Sequence, residues 1–343
     1  MRIAFIAKRP CVRLGKELNA LVPLGHEITL IADGLDITKP YSNFIYCNQP
    51  GEFAQAIRLV KDKIDLFVVH NEPTWPVAIV REEAPEAKIV LDYHDSQYWY
   101  FPSQEEVMAP NESVRWYEED YSVAMCDGFV VPSDTCKEEL KTRTDRPIVV
   151  LPPLCSRSEF RYQGLAWAGG LVSQGGHSIP GLYSRVAEHW RDYTKLYTYL
   201  NGKCGIFVYC PRVDEEVFKA HYAPLVTFLG KAVYDTLLDK LGEHSWNLVG
   251  NWTEHRVWQF SAPNKFYDAL AAGVPSVVFN TQSIIDIIEE EKFGLIVNHP
   301  DELLAAWDSH SECRKNLMLK RSKYCMENFI GRVEDLYKTV IAQ

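Results

Sequence analysis

Residues 262–278 combine a lysine, an aspartate and helix-boundary residues in a spacing suited to a phosphorylated ligand. A helix is predicted to start near Pro263 or Asn264, and Gly273 is typical of the residue that ends one. Lys265 lies in the first helical turn, where its ammonium group and the free backbone N–H groups both attract a diphosphate. Asp268 follows one turn later on the same face, where its carboxylate can accept hydrogen bonds from ribose hydroxyls. The segment therefore indicates a nucleoside-diphosphate site.

A simpler interpretation is that Lys265 and Asp268 form an exposed ion pair on a solvated helix face. The charge distribution favours the ligand site, because residues 157–203 hold six basic and three acidic residues in a chain of net charge −10. Arg191 belongs to this basic stretch, and Ser261 directly precedes the lysine segment. Both are therefore included among the candidate ligand contacts.

A second candidate group, His94 and Asp95, follows a predicted strand. Ligands of open α/β sheets bind at the carboxyl ends of strands, and a histidine there can act as a base or hold a hydroxyl group. A reaction that has to deprotonate a hydroxyl group would need such a base, whereas a reaction without that step would use His94 only for hydrogen bonding. Purely structural roles remain open for both residues.

The surroundings of this second group are acidic and aromatic. Residues 81–120 hold eleven acidic and three basic residues, a charge that disfavours contact with a long nucleic acid. Residues 93–101 hold five aromatic side chains, which can stack on a sugar or a base but more often form core packing. The charge argument applies to a long nucleic acid, whereas the aromatic side chains can stack on one base. A single extruded base of a modified DNA therefore stays open as an acceptor.

Short apolar strands alternate with helices throughout the chain, which predicts parallel, doubly wound sheets. The first set of predicted strands covers residues 2–7, 25–32, 66–70, 88–93, 128–131 and 147–151. The second set covers residues 165–168, 205–209, 225–229, 246–249, 276–279 and 295–297. A long helix is expected over residues 185–200, and a final helix over 311–342 with an interruption near Gly331.

Two prolines break the alternation at residues 151–158, where we place the domain boundary. The prediction is an α/β chain with two Rossmann-like doubly wound domains, residues 1–154 and 155–322. Residues 323–343 are expected to form a helix that packs back on the first domain.

The cysteine pattern, the length of the apolar runs and the absent motifs exclude several classes of protein. The nine cysteines are scattered with no Cys-x-x-Cys pair, a pattern that suits buried thiols in a reducing cytoplasm. No apolar run is long enough to cross a bilayer. The sequence has no Asp-x-Asp, and no Walker A, Gly-x-Gly-x-x-Gly, Gly-x-Ser-x-Gly or His-Glu-x-x-His motif. No cofactor or metal is therefore predicted.

Several segments in order resemble the GT-B glycosyltransferases of the family-4-like group. The Pro-Asn-Lys run leading through Asp268 to Ala-Ala-Gly-x-Pro resembles the donor-site signature of that group. The other matching segments are Gly-His-Glu-Ile at 25–28, His-Asp at 94–95, Asp-Gly-Phe-Val-Val-Pro-Ser at 127–133, and Phe-Leu-Gly at 228–230 with Tyr234. The resemblance covers most of the chain.

The resemblance implies site residues that the pattern alone does not. Asp268 stands where a glutamate of the family binds the nucleotide ribose, and Lys265 where a lysine contacts the diphosphate. Gly169 and Gly170 would let the backbone approach the phosphates. Gly15 would lie in an N-terminal loop facing the donor, and His94 beside the transferred sugar.

The sequence also departs from the family pattern. Many retaining members carry a glutamate eight residues before the ribose-binding one, and Phe260 occupies that position here. The usual Arg and Lys are absent from residues 173–177, where Arg185 or Arg191 would have to substitute. Stereochemistry is therefore left open.

The leading hypothesis is a cytoplasmic, metal-independent transferase that moves a sugar from a UDP- or GDP-linked donor to an unidentified acceptor. The resemblance places the donor in the C-terminal domain and the acceptor mainly on the N-terminal domain. The alternatives are a sugar-nucleotide epimerase on the same scaffold and a non-catalytic subunit that binds nucleotide sugars.

Overall fold

The chain forms two compact units in a computed structural model. One unit comprises Met1–Ser156 with Met326–Gln343, and the other comprises Arg157–Cys325. The structure describes residues 1–34, 41–71, 73–100, 110–162, 169–179, 190–211 and 213–343. Among these residues, no helix has the length and apolar character needed to span a membrane.

The first unit, called the N-terminal unit below, is built on a seven-stranded parallel sheet. Its strands are β1 (Arg2–Ala7), β2 (Glu27–Ala32), β3 (Asn43–Tyr46), β4 (Leu66–His70), β5 (Ile89–Asp92), β6 (Gly128–Val131) and β7 (Ile148–Val150). Its helices are α1 (Val12–Leu21), α2 (Pro50–Val60), α3 (Pro76–Glu83), α4 (Gln97–Tyr100), α5 (Pro110–Met125), α6 (Asp134–Leu140) and α15 (Ile330–Ala342). The strand order is β3-β2-β1-β4-β5-β6-β7.

The second unit, called the C-terminal unit, repeats this architecture with a six-stranded parallel sheet. Its strands are β8 (Leu171–Gln174), β9 (Ile206–Tyr209), β10 (Thr227–Phe228), β11 (Trp246–Val249), β12 (Ser276–Val278) and β13 (Gly294–Ile296). Its helices are α7 (Thr194–Leu200), α8 (Glu215–Tyr222), α9 (Tyr234–Leu241), α10 (Val257–Phe260), α11 (Asn264–Ala272), α12 (Ile285–Glu291), α13 (Pro300–Ala305) and α14 (His310–Lys320). The strand order is β10-β9-β8-β11-β12-β13.

The apolar strand sequences explain why both sheets are covered on two faces. All of β1 after its first residue is buried, as are all residues of β4, β5, β8 and β11. A parallel sheet with helices on both faces needs such continuous apolar runs. The helix α15 packs so closely on β6 that a Cβ atom at Gly128 would lie 2.9 Å from Val340 and 3.2 Å from Leu336.

The strand order fixes where side chains can meet. In each sheet, successive connections run to opposite sides of the first strand, so the loops after two adjacent central strands diverge. This switch point lies between β1 and β4 in one unit and between β8 and β11 in the other. Such a crevice at the carboxyl edge is the usual ligand site of open α/β sheets.

The prediction of two Rossmann-like parallel-sheet domains is confirmed, whereas one predicted element lies outside the described residues and two others have different bounds. The first strand of the C-terminal unit is Leu171–Gln174, whereas the predicted strand at 165–168 lies outside the described residues. Of the predicted helix 185–200, residues 185–189 are likewise outside the description, and the described helix spans only Thr194–Leu200. The last helical segment breaks between Lys320 and Ile330, and Gly331 lies inside α15.

Gly250 offers a test of how tightly β11 and β12 hold the loop that leads to α11. It has φ +77°, and a Cβ atom there would overlap the carbonyl oxygen of Phe279 and lie 2.7 Å from Oγ1 of Thr281. Gly202 has φ +75° but nothing within 4 Å of the same position. We expect Gly202→Ala to cost about 1 kcal/mol, for the backbone conformation alone. Gly250→Ala should lower the free energy of unfolding by about 1–3 kcal/mol more than Gly202→Ala does, because the added methyl group overpacks the site.

The measurement is the midpoint of thermal unfolding for the two variants beside the parent chain. Equal shifts for Gly250→Ala and Gly202→Ala would contradict the close approach of the two strand ends.

Candidate functional site

Two glycines and a histidine form the loop after β8 at the switch point of the C-terminal unit. Gly175 has φ +99°, a conformation that favours glycine, and its N–H donates to the carbonyl of Tyr209. A Cβ atom at Gly176 would lie 3.0 Å from Nη1 of Arg191. The loop therefore brings bare backbone and a guanidinium group together at the carboxyl edge.

Lys265 adds a second cation to this group. It lies in the first turn of α11, and its Nζ donates to the hydroxyl of Tyr193 at 3.2 Å. The guanidinium of Arg191 stacks over Trp190 at 4.2 Å from the ring centre. Within the described part of the chain, neither cation forms an ion pair with a carboxylate. Both charges are thus left to attract an anion beside the N-terminus of α11.

Asp268 lies one turn further along α11 and is 5% exposed. Its Oδ1 accepts from the hydroxyl of Tyr234 at 3.2 Å, and its Oδ2 accepts from Nε2 of Gln174 at 3.4 Å. Because Gln174 ends β8, this contact ties the carboxylate to the glycine loop. The simple interpretation, an exposed Lys265–Asp268 ion pair, does not describe this arrangement.

The remaining predicted contacts of this unit lie just before α11. Asn264 is the exposed first residue of the helix. Ser261 directly follows α10, and its carbonyl accepts from Ser283 at 2.6 Å. The Oγ of Ser261 is buried without a partner among the described residues, so it can bond to a ligand.

Gly169 and Gly170 are not part of this group: they directly precede β8, and the strand predicted before them, 165–168, lies outside the described residues. They therefore lie at the amino edge of the sheet, opposite the edge where α11 begins. Gly170 accepts from the N–H groups of Ser245 and Trp246, and a Cβ atom there would overlap the ring of Phe207. Their positive φ angles of +74° and +79° serve this packing. Gly175 and Gly176 hold the position predicted for them.

His177 stabilises the glycine loop from beneath. Its Nδ1 lies 3.2 Å from the carbonyl of Gly175 and its Nε2 lies 2.8 Å from the hydroxyl of Tyr197. A neutral ring with its proton on Nδ1 satisfies both contacts. Burial, and then the positive charge of Lys265, lower the pKa of His177 to about 3. The ring is therefore uncharged at neutral pH and adds no charge to the site.

The N-terminal unit has its own polar group at its switch point, centred on Asp92. This carboxylate ends β5 and is fully buried. Arg13 approaches it with Nε at 3.2 Å and Nη2 at 3.3 Å, while Nδ1 of His70 and Nδ1 of His94 each lie 3.1 Å away. Burial alone would raise the pKa of Asp92, but the charges of Arg13 and His70 outweigh it and hold the pKa well below its usual value.

Cys11 extends the group from the loop after β1. Its Sγ lies 3.4 Å from Nε2 of His70, so the thiol, the imidazole and Asp92 form a chain of contacts. Burial alone would raise the pKa of Cys11, but the charge of His70 lowers it well below its usual value. Burial alone would lower the pKa of His70, but Asp92 and Cys11 raise it to about 10.

The two predicted catalytic residues lie at the open side of this group. Asp95 accepts from Nδ2 of Asn71 at 2.9 Å and from the hydroxyl of Tyr100 at 2.7 Å. Nε2 of His94 lies 3.9 Å from Oδ2 of Asp95. Since Asp92 holds Nδ1 of His94, Nε2 is the ring nitrogen left for a substrate or another ligand.

The resemblance implied that Gly15 lies in a loop, but the structure places it in a helix. It lies in the second turn of α1, and its N–H bonds to the carbonyl of Cys11 at 3.3 Å. The loop between β1 and α1 is residues 8–11. Glu17, further along α1, accepts from the hydroxyl of Tyr337 at 2.9 Å, and burial followed by the charge of Asp92 raises its pKa to about 7.

The acidic stretch 81–120 contains less free charge than its composition indicates. Asp92 and Glu119 are buried, and Arg143 pairs with Glu119 and Asp120, each at 2.8 Å. Of the aromatic residues nearby, Tyr93 and Trp99 are buried against each other, whereas residues 101–109 lie outside the description.

Sequence reasoning missed Gln174, His177, Cys11 and His70. A signal for the last two existed, because His70 ends a predicted strand and Cys11 follows another, and carboxyl strand ends meet along one edge. The first two were missed because the strand that ends at Gln174 was not predicted.

Comparison with known proteins agrees with this architecture. Residues 12–155 match the sequence model of Glycosyltransferase Family 4. Spore coat protein SA of Bacillus subtilis (strain 168) is 21% identical over 345 aligned residues, which cover 87% of this chain and 86% of that protein.

Two solved structures extend the likeness to the whole chain. Sucrose-phosphate synthase from Thermosynechococcus elongatus is similar with a TM-score of 0.71 at 13% identity, over 99% of each chain. An alpha-glucosyltransferase in complex with UDP and a 13-mer DNA containing an HMU base is similar with a TM-score of 0.66 at 12% identity, over 100% of each chain. The N-terminal unit thus resembles Glycosyltransferase Family 4 over residues 12–155, and the chain has the GT-B fold.

His177 leads to a prediction about pH. Its folded pKa of about 3 lies below the ordinary value, so in the window between them the unfolded chain binds the extra proton. The contribution to stability is complete above about pH 6.5 and is lost as the pH falls toward 3. We expect His177→Gln to reduce the loss of stability between pH 7 and pH 4.5 by about 2–3 kcal/mol.

The measurement is denaturant unfolding at both pH values. His221→Gln, at a half-buried histidine of the same unit, is the matched control. An unchanged pH dependence in His177→Gln would show that His177 does not titrate as stated.

Proposed function

We propose that this protein transfers a sugar from a nucleoside-diphosphate donor, with UDP as the expected nucleotide, to an acceptor. The observation that carries the proposal is the group of Lys265, Arg191 and Asp268 around the glycine loop at the switch point of the C-terminal unit. The Family 4 match and the GT-B fold support the same class of reaction.

The diphosphate is expected at the N-terminus of α11. An anion is favoured by two cations that form no ion pair within the described residues, by the backbone of Gly175 and Gly176, and by the N-terminal N–H groups of the helix. The same groups stabilise the charge that develops on the leaving diphosphate, because they are already oriented before the reaction. The chain's own residues thus supply the stabilisation that the leaving group needs, which is why we propose transfer without a required metal.

The ribose is expected at Asp268. A buried carboxylate that Tyr234 and Gln174 hold in place is suited to accept hydrogen bonds from the ribose hydroxyls. Ser261 contributes its unpartnered hydroxyl and Asn264 its exposed amide at the start of the helix. The sugar of the neighbouring structure's nucleotide, UDP, is a ribose, which makes UDP the first ligand to test.

We assign the handling of the acceptor and the transferred sugar to the N-terminal unit. His94 presents Nε2 while Asp92 fixes its ring, the arrangement of a base or of a hydrogen-bonding group for a hydroxyl. Asp95 is oriented by Asn71 and Tyr100 and supplies a second polar contact. Phe260 leaves no carboxylate at the position expected for retaining members, so stereochemistry has to be measured on the product.

A cytoplasmic location is part of the proposal. All nine cysteines lie in the described residues and none forms a disulfide. Nine free cysteine thiols are typical of a protein in a reducing compartment.

The donor assignment predicts a specific pattern of nucleotide binding. UDP should raise the melting temperature of the parent chain by mass action. Lys265→Ala should weaken binding about 10- to 100-fold, because a charge-assisted contact to phosphate is lost. Asp268→Ala should weaken UDP binding to a similar degree but leave the affinity for the 2′,3′-dideoxy analogue almost unchanged, because that analogue lacks the hydroxyls. Calorimetric titration checks both.

Lys219→Ala is the matched control, since Lys219 is an exposed lysine of the same unit that pairs with Glu215. GDP and ADP are tested in parallel to fix the base. Absence of binding to all three nucleotides would end the donor assignment.

The N-terminal assignment predicts a separation of binding from turnover. His94→Ala should lower kcat about 100-fold or more, because a positioned acid–base or hydrogen-bonding group is removed. The Kd for UDP, which depends on the C-terminal unit, should change less than about threefold. Sugar transfer and isomerisation of the donor are followed by product analysis.

The products also decide between the candidate functions. Isomerised donor in the absence of acceptor would replace transfer by epimerisation. Donor binding without any product, unchanged in His94→Ala, would identify a non-catalytic subunit.

A further inference from the structure

Three side chains that ligate transition metals converge at the switch point of the N-terminal unit. Cys11 comes from the loop after β1, His70 ends β4, and His94 follows β5. One ligand atom from each residue lies within 4.8 Å of the other two. Since the residues belong to three separate segments, only the sheet brings them together.

The spacing fits a tetrahedral ion. With metal–sulfur and metal–nitrogen bonds of about 2.3 Å and 2.05 Å, two ligands of a tetrahedral site stand roughly 3.6 Å apart. The Sγ of Cys11 and the Nε2 of His70 are 3.4 Å apart. Cys11 and His94 are half-buried and His70 is buried, so an ion can enter from the side of Cys11.

Both imidazoles turn Nδ1 toward the carboxylate of Asp92, by a hydrogen bond for His94 and at ion-pair distance for His70. Nδ1 of His70 and Nδ1 of His94 lie 3.1 Å from the two oxygens of Asp92. A carboxylate on one ring nitrogen fixes the tautomer and makes the other nitrogen a better ligand. Arg13 donates to both oxygens of this carboxylate, which compensates its charge in the buried position.

Cys11 occupies a position where another residue type would serve the helix better. It is the N-cap of α1, but its side chain makes no capping bond. Ser, Thr, Asp and Asn are favoured there, because their oxygens accept from the helix N–H groups. The thiol lies against His70 instead, so its contacts favour a role in the cluster over a role in the helix.

We propose that Cys11, His70 and His94 form a binding site for a soft divalent ion, with Zn²⁺ as the best match. One sulfur and two imidazole ligands select zinc or its first-row neighbours over Mg²⁺ and Ca²⁺, which require oxygen ligands. Three protein ligands leave a fourth coordination position open. Occupation of the site takes the Nε2 of His94, which the proposed transfer reaction needs free.

Cobalt is the probe for the site, because its spectrum reports ligand type and geometry. The full-length chain is stripped with a chelator and titrated with Co²⁺ in the absence of any nucleotide. We expect one ion per chain, a sulfur-to-cobalt charge-transfer band, and the intense ligand-field bands of four-coordinate cobalt. Zn²⁺ added afterwards should abolish the spectrum, because it binds such ligands more tightly than Co²⁺.

Two variants separate this site from the other thiols. Cys11→Ser should lose the charge-transfer band and weaken Co²⁺ binding at least tenfold. Cys204→Ser, at another half-buried cysteine in the C-terminal unit, should behave as the parent chain. A further measurement uses the parent chain alone. Zn²⁺ should slow the alkylation of Cys11 by iodoacetamide at least tenfold, as read by peptide mass spectrometry.

Uptake of no Co²⁺ by the parent chain, or an unchanged spectrum in Cys11→Ser, would overturn the proposal. A further readout rests on the proposed function: Zn²⁺ should inhibit transfer, and Cys11→Ser should need at least tenfold more Zn²⁺ for half inhibition. Because the spectra need no donor or acceptor, a chain without transfer activity would still test the metal site.

Discussion

Parallel strand order is the constraint on which the rest of this structure depends. In each unit, all strands present their carboxyl ends along one edge, and the loops from the two central strands diverge there. The edge is thus the one place where side chains from distant segments meet over exposed backbone. The glycine loop with Lys265 and Asp268 lies at this edge in the C-terminal unit, and the Asp92 group lies there in the N-terminal unit.

The two edges handle charge in opposite ways. Within the described residues of the C-terminal unit, Lys265 and Arg191 form no ion pair with a carboxylate and His177 is neutral, so positive charge is retained for a ligand. The N-terminal unit buries an anion and compensates it internally, with Arg13 on one side and two imidazoles on the other. Without such partners, burial of the charged carboxylate would destabilise the fold by roughly several kcal/mol. The first arrangement suits capture of an anion, and the second suits a fixed orientation of His94 and His70.

The orientation of these histidines links the two proposals. Asp92 determines which nitrogen of each ring faces outward, and the same nitrogen of His94 can contact a substrate hydroxyl or bind an ion. Cys11 is the residue that makes ion binding favourable, because its sulfur adds a soft ligand beside the two histidines at the strand ends. A unit with serine at this position would keep the orientation of His94 and lose the affinity for zinc.

The sequence by itself determined the fold class, because strand and helix patterns are local and apolar runs identify buried parallel strands. It also located Lys265 and Asp268, since one helix with a lysine in its first turn and a glycine cap contains both. Boundaries set by packing were not readable: β8 was not predicted, so the place of Gly169 and Gly170 directly before it was not foreseen. Only the tertiary structure decided that Arg191 meets Gly176, or that Cys11, His70 and His94 meet at Asp92. These contacts join segments far apart in the chain, and their proximity follows from strand order, which the pattern of a single segment does not contain.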